Sequence, residues 1–167
     1  KLTSAVQESL LTLACYDATS GGGRLVPSLI SCDTFDPYYK ELAVDVYQYI
    51  KQYEKVPGDH TLDIFNSIRE RHPESFEVFS RIYESMRETR EGINREYIFS
   101  QARVFARYQR VKKGIADAIE GLKQDDEAGV VAAETSMTKS LTSAFDLFDP
   151  GVLITDAERS LRFLEDE

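Results

Sequence analysis

Apolar residues recur three or four positions apart over most of this chain, and no stretch shows the alternation of a half-buried strand. The longest pattern follows Asn94. Ile98, Ala102, Phe105, Tyr108, Val111, Ile115, Ile119 and Leu122 mark one face of a helix about eight turns long. Asn94 offers a side-chain oxygen to cap its first turn. Gly121, Asp125 and Asp126 then mark a reversal, and Val130, Ala133, Met137 and Leu141 form a second stripe that Asp126 can cap. So short a connection predicts an antiparallel helical hairpin. At 1.5 Å per residue the first helix is about 43 Å long, more than a domain of this size spans. Part of it is expected to leave the globule with an apolar stripe that needs cover, most simply a second copy of the chain. The other reading is a globule of six or seven helices with the long helix buried at its centre.

Before Asn94 the same period defines several shorter helices. Ser4-Ala5-Val6-Gln7 has the form of a capping box, and Val6, Leu10, Leu13 and Ala14 give the first helix its buried side. Gly21, Gly22 and Gly23 predict a flexible loop, since glycine loses the most backbone entropy on ordering. Val26, Leu29 and Ile30 make a short helix with Pro27 in its first turn. Asp36-Pro37 reads as the cap and first residue of a longer one, whose stripe is Tyr39, Leu42, Val46, Tyr49, Ile50 and Tyr53. Val56-Pro57-Gly58-Asp59 ends it, with Asp59 capping a helix that turns Leu62, Phe65 and Ile68 inward. His72-Pro73 breaks that helix, and Phe76, Phe79, Ile82, Tyr83 and Met86 line the next. The class is all-α: a globular helical head over 1–112, a hairpin over 113–143, and a linker segment over 144–167 in which Pro150-Gly151 turns the chain.

A chain of 167 residues with 42% apolar content suffices for one cored domain with an appendage. Its net charge of -9 argues against a general phosphate-binding surface. Arg103, Arg107 and Arg110 nevertheless share a face of the long helix. They are either a solvated face paired with nearby carboxylates or a docking strip for an acidic partner or a neighbouring subunit. Nine tyrosines at helical spacing read as core packing rather than a base-stacking platform. Cys15 and Cys32 fit no metal-ligand spacing and are expected to be free thiols. No apolar run reaches the roughly 18 residues of a membrane span and no signal-peptide pattern opens the chain. A cytoplasmic protein without a membrane segment is the expectation.

The chemistry-bearing patterns are missing. There is no GxxxxGK[ST], HExxH or GxSxG motif, and the glycine triplet has neither the preceding strand nor the Lys-Ser/Thr ending of a phosphate loop. No catalytic, metal-binding or cofactor-binding residue can be named.

The order of motifs resembles the N-terminal domain of DnaB-type replicative helicases over nearly the whole chain. Val6-Gln7-Glu8-Ser9-Leu10-Leu11 is similar to that family's opening helix, and Leu29 to Tyr38 to the segment where a phenylalanine and an aromatic precede the next helix, Tyr39 to Ile50. Val56-Pro57-Gly58-Asp59 with Leu62, and Asn94-Arg95-Glu96-Tyr97 with Arg103 and Arg110, resemble its later steps. The resemblance implies hairpins that pair, six copies forming a collar of three dimers, and a linker leading to a motor domain that uses ATP and Mg to unwind DNA. This chain lacks the motor, so helicase activity and DNA contact would belong elsewhere in a full-length protein. The glycine loop and acidic balance differ from bacterial members and suggest a phage-encoded version.

The expectation is a non-catalytic oligomerisation domain that also docks primase or a helicase loader. Ile115, Ile119, Leu122, Val130, Met137 and Leu141 would carry the contact between copies, and Arg103, Arg107 and Arg110 would orient a partner by charge. Two alternatives keep the all-α fold. One is a monomeric helical adaptor, or the helicase-binding domain of a primase or loader. The other is a small nucleic-acid-binding domain with the arginine strip on phosphates.

Overall fold

A computed structural model describes residues 1–145. Among them the regular elements are helices alone: α1 (Ser4–Tyr16), α2 (Val26–Leu29), α3 (Pro37–Tyr53), α4 (Thr61–Arg71), α5 (Phe76–Thr89), α6 (Arg95–Leu122) and α7 (Glu127–Phe145), with short 3₁₀ turns between the early ones. The expected linker, including Pro150-Gly151, lies past Phe145 outside the described residues. Two compact units divide the chain between Phe105 and Ala106, inside α6, whereas the pattern of the sequence places the head's end at 112.

In the first unit α1 packs on α3 and α5, and α4 closes the group by packing on α3 and α5. Leu10, Leu11, Leu42, Val46, Phe65, Ile68 and Met86 are shut off from solvent, the burial that drives a helical core together. The Phe65 ring meets Tyr83 edge to face at 5.1 Å. Ile98, Phe99 and Ala102 on the first turns of α6 are buried as well. Leu62 and Phe76, expected inward, stand exposed; each lies in the first turn of its helix, and Arg69 covers the Phe76 ring from 5.3 Å.

Several polar groups fix the helices against one another. Gln7 is fully buried. Its amide donates to Leu2 O (2.9 Å) and Asp36 Oδ2 (3.1 Å), and its Oε1 accepts the Asp36 amide (2.7 Å). The expected capping box is therefore corrected. Thr3 is the cap of α1 and accepts from the Val6 amide, while Gln7 ties the head of α1 to that of α3. Asp36 holds the cap position of α3 without capping an amide, because its carboxylate is taken by Gln7 and Lys1. Lys1 foremost holds its carboxyl below the ordinary range. Tyr39 Oη donates to Glu8 at 2.8 Å and Ser85 Oγ to the same carboxylate, joining α3, α1 and α5.

The glycine loop is also corrected. It folds tightly onto the end of α1: the Gly23 amide donates to Asp17 O at 2.9 Å, and Gly23 begins a 3₁₀ turn. A side chain at Gly23 would run into Leu13 O at 2.0 Å, so glycine is needed here for close approach, not for freedom. Asp59 lies inside a 3₁₀ turn and caps nothing; His60 holds the cap position of α4.

Candidate functional site

In the second unit α6 and α7 form the expected antiparallel hairpin. Asn94 Oδ1 accepts the Tyr97 amide at the start of α6 (3.1 Å), and Asp126 Oδ1 accepts the Gly129 amide at the start of α7 (2.6 Å). Asp125 turns the chain with a left-handed backbone, φ 51°, a conformation Asp tolerates better than most residues. Gly121, read from the sequence as part of the reversal, lies within α6.

Small residues make the contact between the two helices. Gly114, Ala118 and Gly121 on α6 are buried, as are Gly129 and Ala133 on α7. An added Cβ at Gly129 would come within 2.4 Å of Gly121 O, and one at Gly114 within 2.1 Å of Ser140 Oγ. With no large side chains between them the backbones approach closely. The seam positions are spaced four and three apart on both helices, a helical face one residue wide.

That seam leaves the large apolar residues outside. Ile115, Ile119, Leu122, Val130, Met137 and Leu141 are each 45–55% exposed. At about 100° per residue, Ile115, Ile119 and Leu122 lie roughly a quarter turn past the Gly114–Gly121 row on α6. Val130, Met137 and Leu141 lie a similar angle past the Gly129–Ser140 row on α7. Because the helices run antiparallel and both are right-handed, these two offsets fall on the same side of the hairpin. The six side chains thus share one face, which Tyr108, a further heptad back and also exposed, continues.

At the same 100° per residue the arginines fall within about 40° of the Gly114–Gly121 row, on the seam side of α6. Arg103 and Arg107 are exposed. Arg110 is half-buried and donates from Nη1 to Ser143 O at 2.6 Å, crossing from α6 to α7. At least one member of the expected docking strip is therefore engaged in holding the hairpin together. Pattern reading located the six exposed apolar residues but missed the seam beside them. The available signal was Gly114 and Gly121, seven residues apart inside a helix that otherwise favours good helix formers.

Elsewhere, both cysteines are free. Cys15 is buried and its thiol is pushed up to about 12 by burial, which a Thr61 hydroxyl partly offsets. Among the described residues no three His, Cys, Asp or Glu side chains gather as a metal site, and no helix is long and apolar enough to cross a membrane. Compared with known protein families, with curated proteins and with solved structures, the chain matches none.

Proposed function

We propose that this chain is the non-catalytic assembly and partner-docking domain of a DnaB-like replicative helicase, and that the apolar face of its hairpin pairs it with a second copy. The observation that carries the proposal is the division of labour in the hairpin. Small residues satisfy its internal contact, and six large apolar side chains share one uncovered face. Fully burying one such side chain contributes about 1.5–3 kcal/mol. Covering the exposed halves of six on each of two copies therefore contributes on the order of 9–18 kcal/mol, against an association cost of about 4–15 kcal/mol. A self-complementary face of this kind suits a twofold pair. Three such pairs would make a hexameric collar, with ATP and Mg confined to the motor of the full-length protein.

Support for the helicase setting comes from the order of motifs along the chain, and support for assembly from the hairpin face. Arg103 and Arg107, both exposed, would bias the approach of a primase or loader by their charge, more than they would set its final affinity. Light scattering of the full chain tests the assembly claim. The expected mass is a multiple of 19.0 kDa, falling to the monomer in Ile119→Asp with the far-UV helical signal kept. A monomeric wild type that captures the intact helicase would favour the adaptor reading, and an oligomer untouched by Ile119→Asp would remove the hairpin from the interface.

A further inference from the structure

Between α3 and α4 lies an open cleft of about 560 Å³ that no lysine or arginine lines. Its walls carry a row of three rings. The Tyr49 centroid is 4.6 Å from that of Tyr53 and 6.3 Å from that of His60, and the His60 plane is tilted 31° from Tyr49. The sequence sets up this row. Tyr49 and Tyr53 stand one helical turn apart on α3, and the reversal through Val56-Pro57-Gly58 brings His60 alongside them at the start of α4. The Asp63 carboxylate closes the row, 3.2 Å from His60 Nδ1 and largely exposed. Asp45 lies at the other end, where Arg71 already pairs with it.

Aromatic faces present negative charge density, and a cation within about 6 Å of a ring centroid is attracted to it. Here two tyrosine rings and one exposed carboxylate border a space that no lysine or arginine lines. A flat guanidinium fits such a place better than a compact ammonium, because it stacks on rings while its fork pairs with a carboxylate. The cleft is open, so a side chain carried on a peptide can enter it, and the chain's net charge of -9 favours the approach of a basic segment. We propose that this cleft binds an arginine side chain of a basic peptide, with its guanidinium stacked on Tyr49 and Tyr53 and paired with Asp63. The site is built within the first unit and does not depend on the hairpin face.

The test is an NMR titration, following the tyrosine rings of the full chain as a capped Gly-Arg-Gly-Arg-Gly peptide is added. The same peptide with citrulline, and the same with lysine, serve as comparisons. The arginine peptide is expected to give saturable shifts at Tyr49 and Tyr53, the citrulline peptide none, and the lysine peptide weaker binding. Tyr53→Ser and Asp63→Asn alter exposed side chains and are expected to weaken binding by about threefold or more, while Glu77→Gln on α5 leaves it unchanged. No saturable shift, or equal binding of citrulline or lysine, would overturn the proposal. So would an equal loss in Glu77→Gln, which would leave only the attraction of the net charge.

Discussion

The two units use the same helical period in opposite ways. In the first, most large aliphatic members of the stripes are buried, such as Leu42, Val46 and Ile50 on α3 and Ile82 and Met86 on α5. In the hairpin Gly114, Ala118, Gly121, Gly129 and Ala133 are buried, while Ile115, Ile119, Leu122, Val130, Met137 and Leu141 are exposed. Several helices meeting around a common core can each turn a wide apolar face inward. Two helices meeting only each other share a narrow contact line, and small residues along it leave the neighbouring positions bare. An apolar stripe therefore identifies a helix face that needs cover, but the number of elements meeting there decides whether the chain supplies it.

The strongest way to break this contrast is to truncate the first unit's core. Phe65→Ala is expected to cost about 3–5 kcal/mol, read as a lowered urea midpoint, because the ring is wholly buried against Tyr83. Filling the seam should come next. Gly129→Leu drives a side chain into the Gly121 carbonyl, backbone that cannot swing aside. A cost of about 1–3 kcal/mol or more is expected, seen as faster amide hydrogen exchange in the hairpin halves of α6 and α7.

A pH experiment probes the first unit's burial from another side. The Cys15 thiol has a folded value raised to about 12 from an ordinary value of 9.0. The unfolded chain therefore loses this proton first as pH rises. The stability contributed by the buried thiol is complete below about pH 9 and falls by up to about 1.4 kcal/mol per pH unit between there and 12. Urea midpoints at pH 8 and pH 10.5 should differ less in Cys15→Ala than in the wild type. An equal difference would mean that Cys15 is not sealed in the native state. The smallest effect sharpens the contrast most: Ile119→Ala should change the stability of the monomer by no more than about 0.5 kcal/mol, measured at a concentration low enough to exclude association.

The sequence made some of this legible for definite reasons. Helix positions followed from apolar spacing, and the caps Asn94 and Asp126 from side chains that can accept an orphan amide. The Ser4 cap was displaced by one residue because Thr3 offers the same hydroxyl, and Gln7 was diverted by a partner 29 positions away, which no local pattern reveals. The glycine triplet looked loose because its composition says nothing of what packs against it. Its tight fold depends on the approach of the Leu13 carbonyl and the Asp17 carboxylate. The six exposed residues were found because they are apolar, while the seam went unnoticed because counting apolar residues passes over glycine and serine. The tyrosine row between α3 and α4 was read as core for the same reason. Spacing shows that two rings share a face and does not show that the face opens onto a cleft.

The central claim is that the hairpin face is bare in one copy and covered by another. Methyl NMR with a soluble paramagnetic agent measures this directly when the isoleucines are followed over a dilution series. The methyls of Ile115 and Ile119 should be strongly relaxed at low concentration and become protected as concentration rises, while Ile30, buried in the first unit, stays protected throughout. Relaxation of Ile115 and Ile119 that does not change with concentration would contradict the account.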